Sequence, residues 1–205
     1  MLHTLQLPLT RDKVRELAVG DMVTLDGDIT VSIGLPTHQR MAQAVADGQP
    51  LPVDLRGGAF FHLSTFVRES AEGPVPLYMN PSTSTRYIAW MPTLVRGLDL
   101  RLTGGKGGLD AASVQALRDT GCVYLSFLGG GAPLLSRGLR RVVSSHWNEY
   151  ISQFRLLTLN VASLGPATVA IDAHGNSLYD QLREQAQARM PQLLQRLETA
   201  RKASL

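Results

Sequence analysis

Glycine is not spread evenly along this chain. Pairs and triplets stand at 57–58, 104–105, 107–108 and 129–131, and each lies beside an apolar run rich in β-formers. Glycine in such places marks strand ends, where backbone turns tightly or comes close to something else. The runs between these marks give the elements. Residues 22–25 and 29–33 flank Asp26-Gly27-Asp28, which predicts a β-hairpin with Asp-Gly turn chemistry. Pro36 opens a helical pattern carried by Met41 and Val45 and stopped at Gly48. Strands are expected at 59–63, 77–80, 98–102 and 122–128. A helix is expected over 88–98, with a break at Pro92. Asp110 should cap a helix over 111–119 that stops at Gly121, and a short helix is expected around 134–139. The last third predicts strands at 156–162 and 168–172, a turn at His174-Gly175-Asn176, and a terminal helix that Pro191 interrupts. Strands and helices alternate from 77 onward, so the class is α/β with a mixed sheet flanked by helices.

The chain has 205 residues, and one domain over 1–205, with 177–205 as a C-terminal helical extension, is the expected organisation. A net charge of +3 suits an anionic ligand but is too small for a nucleic-acid claim, which needs a clustered patch as well. The first 17 residues carry charges and no apolar run. Nowhere do roughly 18 apolar residues follow one another, so a soluble, cytoplasmic protein is expected. Cys122 is the only cysteine. It cannot form a disulfide within the chain or anchor an iron–sulfur cluster, so a function that needs a cluster must draw it from another chain.

Three cations stand where solubility alone does not explain them: Arg40 early in a helix, Arg86 after four hydroxyls, and Lys106 between four glycines. The run Asn80-Pro81-Ser82-Thr83-Ser84-Thr85-Arg86 offers hydroxyls, free backbone N–H groups and a guanidinium fork for a carboxylate or phosphate. Simple helix capping by Ser84 or Thr85 is the competing explanation. Lys106 lacks the spacing of a nucleoside-triphosphate loop, because Gly107 follows it where serine or threonine is required. His38 and His62 read as capping or core side chains, Asp172 and His174 as turn chemistry, and Cys122 as an inert buried thiol. The triplet at 129–131 suits an anion nest or a plain strand-to-helix turn.

Together these segments resemble the β subunit of two-subunit iron–sulfur hydro-lyases, the class I fumarase and L(+)-tartrate dehydratase family. The motifs are Val19-Gly20-Asp21, Thr37-His38-Gln39-Arg40, Val53-Asp54-Leu55, Pro81-Ser82-Thr83-Ser84-Thr85-Arg86, Gly105-Lys106-Gly107-Gly108 and Gly129-Gly130-Gly131-Ala132. His146-Trp147, Gly165-Pro166 and the segment Ile171-Asp172-Ala173-His174-Gly175-Asn176 look closest to the tartrate dehydratase branch. The resemblance implies a swivelling β/β/α domain. It also implies an α-subunit partner whose four-iron four-sulfur cluster binds the substrate hydroxyl as a Lewis acid. The substrate implied is a small hydroxy-dicarboxylate. Ser82 and Lys106 correspond to the family's catalytic positions, and Arg40, Arg86 and Thr83 to its substrate-binding positions.

The chain departs from the family pattern at several places. Asn80-Pro81-Ser82-Thr83 stands for Gly-Pro-Thr-Thr, Tyr87 for methionine, Gly34-Leu35 for an Arg-Asp pair, and Leu63-Ser64-Thr65 for an Ala-Gly-Pro turn. Two other functions fit the residues: a non-catalytic anion-binding module of the same fold, and a stand-alone hydro-lyase or isomerase that uses Ser82 and Lys106 without a cluster.

Overall fold

The computed structural model describes residues 1–203. The chain is mixed α/β. Its elements run β1 (Leu2–Gln6), α1 (Arg11–Arg15), β2 (Met22–Val31), α2 (Leu35–Ala46), β3 (Ala59–Phe61), β4 (Leu63–Arg68) and β5 (Val75–Pro81). A 3-10 turn at Ser84–Tyr87 follows, then α3 (Met91–Gly97), β6 (Leu102–Gly105), α4 (Ala111–Thr120), β7 (Val123–Phe127), α5 (Ala132–Ser136), β8 (Leu139–His146), β9 (Leu156–Ile171) and α6 (Leu178–Ala203).

Seven strands form one sheet in the order β1-β2-β3-β6-β7-β9-β8. Because β2 also pairs antiparallel with β9, the strands β2, β3, β6, β7 and β9 close into a ring. The period-2 alternation of a strand explains how one sequence serves both sides of this ring. Phe61, Leu102, Val123 and Leu125 join Val23, Leu25, Leu159 and Val169 in one core. Their chain neighbours Phe60 and Tyr124 belong to a second core, with Met41, Met91, Leu94 and Leu117 of α2, α3 and α4. Each such large apolar side chain contributes about 1.5–3 kcal/mol by leaving water. Helices therefore cover the parallel stretch β3-β6-β7, and the ends of these strands are where the site is built. Asp110 caps α4 by accepting from the Ser113 N–H, and Gly121 ends that helix, as the sequence predicts.

The expected hairpin at 22–33 is not formed. Asp26-Gly27-Asp28 lies inside one continuous ten-residue strand. Gly27 has φ +115, and the register with β9 shifts between Leu25 and Gly27, so the Asp-Gly chemistry serves a bulge and not a turn. A Cβ on Gly27 would lie 3.0 Å from the Leu7 carbonyl oxygen, which adds a close approach to the positive φ. The two strands expected at 156–162 and 168–172 are likewise one 16-residue strand, β9. The helix expected over 88–98 begins only at Met91, with Pro92 tolerated in its first turn, where no N–H partner is lost. The strand expected at 98–102 starts at Leu102 and runs into the glycines. α6 continues through Pro191 without the expected interruption. Strands β1, β4 and β8 and helix α1 have no counterpart in the sequence reading. Local pattern does not reveal them, because edge strands and short half-exposed elements carry weak periodicity.

β4 and β5 form a separate two-stranded sheet. Its register pairs Leu63 with Pro81, Ser64 with Asn80 and Phe66 with Tyr78. That pairing delivers the chain from β5 to the hydroxyl run beside the end of β3.

Candidate active site

Backbone, not side chains, brings the hydroxyl run to the lysine loop. Just past β3, the His62 N–H donates to the Gly104 carbonyl at 2.7 Å, and the Ser82 N–H donates to the His62 carbonyl at 2.8 Å. The Lys106 N–H then donates to the Ser82 carbonyl at 2.8 Å, and the Ser84 N–H donates to the Lys106 carbonyl at 2.9 Å. Thr83 and Lys106 thus form a parallel bridge that continues the ladder beyond the named strands. Gly105 is what permits the approach. A Cβ there would lie 2.5 Å from Ser84 Oγ and 2.7 Å from the Ser82 carbonyl oxygen.

The junction forms one wall of an open cleft of about 230 Å³, which Ser82, Thr83, Arg86 and Lys106 line together with Ile33. Ser64 and Asn80, paired across β4 and β5, line it too. Arg86 is exposed on the 3-10 turn and Lys106 is half-buried. Among the described residues neither side chain has a carboxylate partner. Two uncompensated cations and three hydroxyl side chains around one cleft form a receptor for a small polyanion. Lys106 also borders a larger cleft of about 450 Å³, lined by Ser126, Thr168 and Tyr179. Clefts of about 440 and 460 Å³ around Asp54 and Arg56 contain no such pair of cations.

Behind the cleft lies a buried aromatic and imidazole cluster. The Tyr87 ring stacks on His38 at 4.1 Å between centroids and lies 4.3 Å from His62. Tyr87 donates its proton to the Ile33 carbonyl at 2.9 Å, so the longer 3.4 Å contact with Ser82 has serine as donor. The lone pairs of Ser82 therefore point away from Tyr87. Burial pushes the Tyr87 phenol above its usual range and keeps it neutral. His38 Nδ1 donates to the Gly34 carbonyl at 2.7 Å, and burial lowers its pKa to about 4 against that bond. His62 is lowered well below the usual value, first by burial and then by His38. Both rings are core side chains, as expected, and Ser84 Oγ is shared by His62 Nδ1 and the Tyr124 hydroxyl at 2.8 Å each. Ser84 is thus locked in the wall and does not cap a helix.

Arg40 lies apart from this cleft. It sits on α2, its side chain is 49% exposed, Nη1 is 2.7 Å from Glu149 Oε1, and its guanidinium rests 4.6 Å from the centre of the Trp147 ring. Cys122 is fully buried, and burial raises its thiol pKa far above the usual range. Among the described residues no three His, Cys, Asp or Glu side chains stand close enough to hold a metal ion. Among the described residues the one thiolate donor is this buried cysteine, so they offer no ligand set for an iron–sulfur cluster. Sequence reasoning missed Tyr87 as a neighbour of Ser82 and missed the Ser84, His62 and Tyr124 network. The fourfold repetition of hydroxyls was the signal, but spacing could not say which of them face inward.

The sequence profile of the Fumarase C-terminus family matches residues 2–182, and the chain belongs to that family. It is 26% identical to the L(+)-tartrate dehydratase subunit beta of Escherichia coli K12, over 87% of both chains. It is 27% identical to a Methanocaldococcus jannaschii protein provisionally named L(+)-tartrate dehydratase subunit beta, over 91% of this chain and 95% of that one. A Geobacillus stearothermophilus protein provisionally named class I fumarate hydratase is 28% identical over 92% of this chain and 36% of its own length.

Proposed function

We propose that this chain is the β subunit of a two-subunit iron–sulfur hydro-lyase that reversibly dehydrates a small hydroxy-dicarboxylate, tartrate-, malate- or fumarate-like, in the cytoplasm. Its whole length forms one swivelling β/β/α domain with a C-terminal helical extension. The names of its relatives support the reaction class and the presence of an α subunit. The observation that carries the reading for this chain is the Thr83–Lys106 bridge, which joins a hydroxyl, an ammonium and a guanidinium around one open cleft.

In this reading Arg86 holds a carboxylate already present in the ground state, because its planar fork matches that group. The Thr83 hydroxyl donates to the same end of the substrate. Ser82 removes the proton next to the carboxylate. A serine hydroxyl is a weak base on its own, and the neighbouring cations favour its ionised form. Lys106 stabilises the negative charge that develops on the carboxylate as the proton leaves. Arg40 contributes from α2 by exchanging Glu149 for substrate. The lyase function requires the cluster of the α subunit, which this chain does not hold. The cleft is open, and the Ser64–Asn80 pair continues into Phe66 and Tyr78, both exposed, on the same face of the β4-β5 sheet. That face suits a partner surface that closes the site and excludes water.

The test is anaerobic co-expression with the cysteine-bearing α subunit, followed by assay with tartrate, malate, citramalate and their dehydration products. Turnover of one of them that needs both chains is expected. A complex with an intact cluster that turns over none of them would favour the alternative of an anion-binding module.

A further inference from the structure

Helix α6 has 26 residues, and residues 181–202 are all exposed along it. Its apolar side chains are not random. Ala186, Met190, Leu193, Leu197 and Ala200 recur at alternating steps of four and three, the a/d spacing of a coiled-coil seam. Met190, Leu193 and Leu197 are each at least half exposed, so the seam faces solvent and not the body of the protein. An isolated helix of this kind is marginal in water and gains its stability from packing one face. The family match ends at residue 182, so nearly all of the seam lies beyond the shared domain.

We propose that α6 is a docking helix for another polypeptide, and that its partner is an amphipathic helix whose apolar seam is flanked by acidic residues. Charge selects this occupant. With Met190 at a, Arg189 and Arg196 both fall at g, along one edge of the seam, while Glu184 and Glu198 fall at b, turned away from it. In an antiparallel pair of two copies, Arg189 of one would face Arg196 of the other, and like charges across a seam are unfavourable. In a parallel pair Arg189 would face Leu194, which gives no ion pair. A partner with glutamate or aspartate at those flanks pairs with both arginines. A membrane surface fits less well. The seam is narrow, the helix has five glutamines, and residues 180–203 contain no Trp or Phe to sit at a lipid interface.

The experiment uses the full chain and a fluorescent synthetic helix of about three heptads with Leu at a and d and Glu at e and g. Glutamates at both flanks keep that probe from pairing with itself. Anisotropy should report binding in the micromolar range. A matched peptide with Lys at e and g should bind at least about tenfold more weakly, and added salt should weaken the first and not the second. Leu193→Glu and Leu197→Glu should abolish binding while circular dichroism and thermal unfolding of the body stay unchanged. Four results would overturn the proposal: no binding, equal binding of both peptides, binding to vesicles of anionic phospholipid in place of peptide, or sedimentation showing self-association that Leu193→Glu removes.

Discussion

The wall formed by Ser82, Thr83 and Lys106 and the arginine on α2 are held in opposite ways. In the wall, four backbone hydrogen bonds of 2.7–2.9 Å fix where each residue stands, and fully buried side chains back it. Arg40 is placed by one exposed ion pair and one ring face. Backbone ladders cost side chains no rotamer freedom, whereas an exposed ion pair between two long side chains contributes about 0–1 kcal/mol. The wall is therefore set before any ligand arrives, whereas Arg40 is held only by weak, exposed contacts.

The largest effect follows from prying the wall open. Gly105→Ala should displace Ser82 and Ser84, cut turnover of the reconstituted enzyme by at least about 10²-fold, and destabilise the chain by about 1–3 kcal/mol through overpacking. Assay together with urea unfolding checks both. Near-normal values of each would mean that the loop is slack. Lys106→Met should lower kcat by about 10²-fold, the usual scale for a lost charge-stabilising group. Arg86→Lys should chiefly raise KM, because it loses the fork and keeps the charge. Steady-state kinetics with both variants separates the two roles.

Acid should test the buried backing of the wall. His38 titrates near 6.5 in the unfolded chain and near 4 in the folded one, so the unfolded chain binds more protons between these values. The contribution of this residue should be constant well above pH 6.5 and fall as pH drops toward 4, by about 1.4 kcal/mol per unit. His62 adds to the loss in the same direction. Denaturant midpoints at pH 7.5 and 5.0, with and without His38→Phe, measure the slope; an equal slope in the variant would assign it elsewhere. The smallest effect belongs to Arg40. Arg40→Gln should change stability by less than about 1 kcal/mol and raise KM less than Arg86→Lys does.

The same contrast explains what could be read from the sequence. Glycines at strand ends announced close backbone approach, and Gly104-Gly105 delivers it. Helix caps at Asp110 and Gly121 were readable because they depend on neighbours within four residues. The misread hairpin at Asp26-Gly27-Asp28 shows the limit, since β2 finds its partner in β9 more than 130 residues away and uses the glycine for a bulge. For the site, residue types near Ser82 and Lys106 suggested anion chemistry. Only the long-range ladder decided that Ser84 turns into the core toward His62 and Tyr124 while Arg86 borders the cleft. Tyr87 stood out only as a departure from the family pattern, because a tyrosine's role depends on which carbonyl its hydroxyl can reach.

The most direct measurement concerns Ser82 in the reconstituted two-subunit enzyme, with cluster content and assembly verified for each variant. Ser82→Ala should lower kcat by about 10²-fold or more, and Ser82→Thr, which keeps the hydroxyl, should leave it largely intact. Near-normal kcat for Ser82→Ala would contradict the account. It would leave the serine as part of the wall only and place the base on the other subunit.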